Sequence, residues 1–392
     1  MKVIISKADR LWKMPQPLLG GMKFARKRLS YRGVDLIDLD RFAPESPDLP
    51  ALKAAPPGLP DRIKPTADLV VALKEKVIDS YHYLKAAALD PEKEIIVTPG
   101  IRAATTLIAL GILNQGDTAL YPDPGLQYTR LAASLADSHA KRYNLLESND
   151  YIANIASLVP TSHKRLKILF VNYPHNPSGA TVDIYFYREL FKALRFANIL
   201  TVADCAYVYP GDATVCTPLQ VIHASRMAVE LHSFATTLGI PELGFAVGHK
   251  NVISILRLLL DSQGFVPEIH RLNAATEALG HAEEIFDWRM DTLHKRREII
   301  NGLKELGWHI RSGKLLPFVW ARPPVRSTSV AFARRLFIKA GVKVTPGSDL
   351  GENGEGWLRM ALIPDEGNLR EAVNRLSEHS RIWQRKFRPE PE

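Results

Sequence analysis

Short apolar runs rich in β-branched residues alternate along this chain with longer stretches whose apolar residues recur every three or four positions. The first long helical pattern covers Ala67–Leu84, and a strand-like run follows at Glu94–Val97. Helical periodicity returns over Ala103–Leu113, a strand over Thr118–Tyr121 and a helix over Tyr128–Leu135. Further on come strands at Ile168–Asn172, Ile199–Ala203, Met227–Leu231 and Phe245–Val247, with a helix at Ile184–Phe196. Strands that alternate with helices predict a mostly parallel sheet with helices over both faces, an α/β architecture.

The pattern changes near residue 282. A long charged helical stretch, Ala282–Leu306, precedes strand-like runs at Trp308–Arg311 and Phe318–Ala321, a helix at Val330–Ala340, and strands at Val342–Val344 and Trp357–Ala361. This part reads as a smaller α+β domain. At the other end, residues 43–66 hold seven prolines and predict an extended, irregular segment. The expected division is therefore an N-terminal arm and proline-rich segment over 1–66, a large α/β domain over 67–290, and a small domain over 291–392 joined by part of the arm.

Composition narrows the class without naming a function. The 392 residues are 46% hydrophobic, enough for one large core and a companion. No apolar run approaches the roughly 20 residues of a membrane span, and charges interrupt Met1–Met14, so neither insertion nor export is expected. Two cysteines, Cys205 and Cys216, fit a reducing compartment, and the cytoplasm is the expected location. The net charge of +9 is spread among acids, as in Lys295-Arg296-Arg297-Glu298, which describes solvated helix faces better than a nucleic-acid site. The basic tail Arg381–Glu392 reads as a helix end and loose terminus. The chain has no HExxH, no spaced Cys/His quartet and no glycine fingerprint for a dinucleotide, so neither a metal nor a dinucleotide is expected.

In an open parallel sheet, ligands bind beyond the carboxyl ends of the strands. The segments there are Thr98-Pro99-Gly100-Ile101-Arg102, then Asn172 to Gly179, then Asp204-Cys205-Ala206-Tyr207, then Leu231 to Thr237. Each alone is ordinary turn chemistry. Together with EIIVTPG (94–100), PDPG (122–125), HNPSG (175–179), DCAY (204–207), ELHSF (230–234), VTPG (344–347) and GENGEGWLRM (351–360), they resemble the class I/II pyridoxal-phosphate-dependent aminotransferases from about residue 35 to 378. The wording is most similar to the LL-diaminopimelate aminotransferase branch.

The resemblance implies an aspartate-aminotransferase-like fold type I and a cofactor, pyridoxal or pyridoxamine 5'-phosphate. It matches Asp204 to the partner of the protonated pyridine nitrogen, for which a buried carboxylate is suited. Asn176 and Tyr207 match the two groups that hydrogen-bond the ring oxygen, and Ser233 matches a phosphate contact. Ile101 and Arg102 sit at the helix start that would face the same phosphate. Arg359 matches the arginine that grips the substrate carboxylate. The small-molecule ligand implied is an amino acid or oxoacid. A homodimer is implied too, or a heterodimer with an active relative, with no nucleic acid and no membrane.

The departures cluster at the imine and the phosphate. Thr236 stands where the family has its Schiff-base lysine, and a hydroxyl cannot form an imine. Glu242 is the nearest residue to a phosphate-binding arginine. Leu126 replaces the aromatic that lies on the ring, and nearby Tyr128 is the candidate to take over the lost stacking. No partner-subunit tyrosine is evident in Gly58–Lys64, where Arg62 or Lys64 could supply charge. Two readings result. In one, transamination is impaired but a cofactor or carboxylate ligand is still bound; in the other, Lys250 or a histidine, His175 or His232, replaces the lysine. A third, plainer account keeps Asp204, Asn176, Tyr207 and Arg359 as parts of a structural polar network.

Overall fold

A computed structural model describes Ala8 and residues 35–40, 67–159 and 165–379. Residues 43–66 of the proline-rich segment, including Gly58–Lys64, and the tail Arg381–Glu392 lie outside the described residues. The chain divides into two compact units. The larger takes in residues 67–175 and 180–289, and the smaller 35–40, 176–179 and 290–379.

The strands are β1 (Ile37–Asp38), β2 (Ile95–Thr98), β3 (Thr118–Asp123), β4 (His139–Asn144), β5 (Leu166–Asn172), β6 (Leu200–Asp204), β7 (Ala228–Ser233), β8 (Gly244–Gly248), β9 (His309–Arg311), β10 (Phe318–Arg322), β11 (Val342–Lys343), β12 (Thr345–Pro346) and β13 (Leu358–Ala361). In the larger unit seven of them form one sheet in the order β2-β8-β7-β6-β5-β3-β4. Strands β3 to β7 run parallel, while β8 runs antiparallel to both β7 and β2. The sheet is thus mostly parallel, and its central strands are buried on both faces, as near-continuous apolar runs require.

Helix Ile101–Ile112 begins directly after β2 at Gly100, whose φ of 101° is left-handed and suits a residue with no Cβ. At Gly244 the constraint is space, because a Cβ would lie 2.2 Å from the His232 carbonyl oxygen. The helix expected over Ala67–Leu84 breaks instead at Tyr81 into Ala67–Ser80 and His82–Ala86. Ser80 Oγ donates to the Lys76 and Leu279 carbonyls, and Tyr81 turns inward, edge-on to His232 and Phe245. Burying an aromatic outweighs one continued helical turn. Strand β4 escapes the apolar pattern because it is a sheet edge with four of its six residues exposed.

The smaller unit packs β12-β13-β10-β9 as an antiparallel sheet, with β1 paired to β11. Its core gathers Leu293, Ile300, Leu303, Phe332, Leu336, Leu358 and Met360. The strand expected over Val342–Val344 is two short pieces, β11 and β12, serving different partners. The long helix Ala282–Asn301 ends in a tight turn, Gly302–Leu306, before Gly307 in the left-handed region.

Candidate functional site

Strands β5, β6 and β7 end together in the larger unit at Asn172, Asp204 and Ser233. Asp204 is 6% exposed, and Asn172 Nδ2 donates to its backbone carbonyl at 3.0 Å. Both carboxylate oxygens are already engaged: Oδ1 accepts from Ala206 N–H at 2.9 Å, and Oδ2 accepts from the Tyr128 hydroxyl. Burial pushes the Asp204 carboxyl above its usual range, and the bonds from Tyr128 and Ala206 with the nearby His232 and Arg102 only partly offset this. A carboxyl with a raised folded pKa adds stability that is full below its ordinary 3.8 and is lost as pH rises through the folded value. Asp204→Asn does not titrate and is expected to lack that decline, so thermal midpoints measured from about pH 4 upward should fall faster for the wild type than for the variant.

Leu126 joins Asp204 around a cavity of about 10 Å³, also lined by Tyr128, Phe170, Val171 and Leu231. The Tyr128 hydroxyl is directed at the Asp204 carboxylate. Ile101 is buried and Arg102 exposed at the first turn of their helix, with the Arg102 guanidinium 6.0 Å from the Tyr128 ring centre. Tyr207 is 1% exposed.

Ser233 caps a four-residue helix, Phe234–Thr237. Its Oγ accepts from the Thr236 N–H and from the Thr236 hydroxyl, both at 3.2 Å. Thr236 is 6% exposed. No lysine is buried among the described residues. Lys250 follows Gly248, which pairs with Val229 near the start of β7, whereas the Ser233 end of β7 pairs with Gly244. It therefore sits at the wrong end of the sheet to replace a base beside Thr236. Glu242 turns away to Arg271, 2.7 Å from its Nη1.

Neither histidine opens to a ligand. His175 is fully buried, its Nε2 is 3.0 Å from the Pro124 carbonyl, and burial pushes its pKa down to about 4. His232 stacks on Phe245 with ring centres 4.4 Å apart, and its Nε2 lies 3.1 Å from Glu230 Oε2. Glu230 also accepts from Tyr83 Oη at 2.6 Å and from Leu219 N–H at 2.8 Å. Cys205, Glu230 and His232 bring their donor atoms within 4.8 Å of one another. The glutamate is committed to the backbone and to Tyr83, so this cluster is a structural network.

Asn176 and Arg359 belong to the smaller unit. Arg359, on β13, donates to Asn176 Oδ1 and to Thr345 Oγ1, each at 3.2 Å. Thr345 in turn donates to Asp40, whose other oxygen lies 2.7 Å from Lys343 Nζ. Burial alone raises the Asp40 carboxyl, but Lys343, Thr345 and Arg359 together hold it below its usual range. Sequence reasoning missed Asp40 and the role of Thr345, although Thr345 lies inside the VTPG phrase.

The donor set decides whether pyridoxal phosphate fits. An imine needs an amine at the end of β7, and Thr236 offers a hydroxyl. A protonated ring nitrogen needs the Asp204 carboxylate, which Tyr128 and Ala206 engage. The imine-forming amine is the part of that donor set that Thr236 does not supply.

A family model for aminotransferase class I and II matches residues 60–376. An LL-diaminopimelate aminotransferase of Moorella thermoacetica is 29% identical over 388 residues, covering 95% of this chain and 98% of that protein. One from Aquifex aeolicus is 30% identical over 381 residues, covering 94% and 98%. A substrate-bound BacF structure from Bacillus subtilis superposes with a TM-score of 0.84 at 26% identity, covering 96% of this chain and 98% of the other.

Proposed function

The chain belongs to the class I and II aminotransferases, enzymes that depend on pyridoxal phosphate, and from that premise we propose that it is a member that does not transaminate and keeps a carboxylate-binding arginine. The observation that carries this reading is Thr236 three residues after Ser233, with no lysine buried among the described residues. Without an amine there is neither an imine nor the general base that the amine becomes. Arg359 is fixed by Asn176 and Thr345, and a guanidinium is the side chain suited to a carboxylate. Its ligand in this reading is an amino acid or an oxoacid.

The assembly in this reading is a homodimer, or a heterodimer in which an active relative supplies the chemistry, and its location is the cytoplasm. Purified protein mixed with pyridoxal phosphate, reduced with borohydride and weighed intact tests the reading. The expected result is no imine absorption band and no one-to-one mass increase. A stoichiometric adduct together with turnover of an amino acid and an oxoacid would overturn it.

A further inference from the structure

Tyr128 holds a position that the lost lysine does not explain. Its hydroxyl donates to Asp204 Oδ2, while Ala206 N–H takes Oδ1. The space left around the pair, bounded by Leu126, Phe170, Val171 and Leu231, is about 10 Å³. That is room for one water, whereas an apolar cavity of roughly 150 Å³ is the size that admits a benzene ring. The acceptor that an aromatic heterocycle would need is thus engaged by the chain itself, and the space beside it is small.

We propose that Tyr128 is an internal occupant of the ring site: its phenol takes the place of a pyridine-type ring on Asp204 and closes the larger unit to such ligands. The proposal rests on the non-transaminating reading and deepens it, since a chain that forms no imine gains a second, independent barrier to the cofactor. The physical logic is that a buried carboxylate left unpartnered is costly, and a phenol supplied by the same chain satisfies it without the loss of freedom that holding a separate ligand entails. Tyr128 is itself only partly buried.

Pyridoxamine 5'-phosphate is the probe, because it carries no aldehyde and its binding is independent of any lysine. Equilibrium dialysis of the full chain is expected to show no saturable binding to the wild type below millimolar concentration. Tyr128→Ala should bind at least tenfold more tightly, and Tyr128→Ala with Asp204→Ala should lose that gain. Wild-type binding equal to that of Tyr128→Ala would overturn the proposal while leaving the imine reading untouched, and so would a folded Tyr128→Ala that gains nothing.

If Tyr128→Ala does not fold, Tyr128→Phe keeps the ring and removes only the bond. The phenol favours ionised Asp204, so the stability gap between wild type and Tyr128→Phe should widen as pH rises through the Asp204 titration, from about pH 4 upward. Arg102, His232 and Cys205, other charged or titratable groups facing Asp204, are the same in both proteins. A gap that stays constant with pH would show that Tyr128 is not the partner of Asp204.

Discussion

Glu230→Ala is expected to lower the stability of the larger unit by about 1–3 kcal/mol, the cost of leaving a buried hydrogen-bonding group without its partner. Glu230 and His232 are both 0% exposed. Deleting the carboxylate takes the acceptor from the Leu219 N–H and leaves the Tyr83 hydroxyl and His232 Nε2, 3.2 Å apart, only each other. His232 Nδ1 already lacks a partner among the described residues, so the imidazole would keep only the Tyr83 hydroxyl at its Nε2. Urea unfolding followed by circular dichroism measures the loss. Glu230→Gln keeps the shape and an acceptor and should lose clearly less. A loss below about 1 kcal/mol for the alanine variant, the ordinary worth of one hydrogen bond, would show that the network contributes little.

In the smaller unit, Trp320→Ala should cost about 3–5 kcal/mol, as truncating a buried aromatic usually does. Trp320 is 0% exposed on β10, and its ring lies parallel to that of Trp357 at 5.4 Å. The same ring crowds Gly347, where a Cβ would meet Trp320 Cη2 at 2.8 Å and the Gly354 oxygen at 1.9 Å. Because Trp320 pairs across the sheet with Arg359, the cavity left behind should loosen the strand that carries this proposed carboxylate anchor. Denaturant unfolding of the variant measures the loss of stability. Isothermal titration with an oxoacid reads the anchor, and binding should weaken along with stability. Unchanged stability would mean that the core refills the space.

These expectations could not have been written from the sequence in the same form. The buried strands were legible because parallel strands covered on both faces must be apolar throughout, as in Leu166–Asn172 and Ala228–Ser233. The edge strand His139–Asn144 was not, since its exposed residues follow no burial pattern. The break at Tyr81 was hidden as well, because periodicity records how apolar residues are spaced and not which neighbour they turn toward. Glu230, inside the ELHSF phrase, shows no sign of its network in the sequence, because its partners Tyr83 and Leu219 are 147 and 11 positions away.

The site divides in the same way. By itself the sequence determined which chemistry is present: an acid at Asp204, a guanidinium at Arg359 and a hydroxyl at Thr236. Identity is a property of a position, and an imine cannot form without an amine. Only the tertiary structure decided what those groups are doing. It gave Asp204 the hydroxyl of Tyr128, 76 residues away. Arg359 is held by Asn176, 183 residues away, and by Thr345, which Asp40 engages from 305 positions back. Lys250, close to Thr236 in the chain, was sent by the antiparallel β8 to the opposite end of the sheet. The reason is that hydrogen bonding and burial act over a few ångströms of space, and the register and direction of strands, not separation along the chain, determine which groups share it.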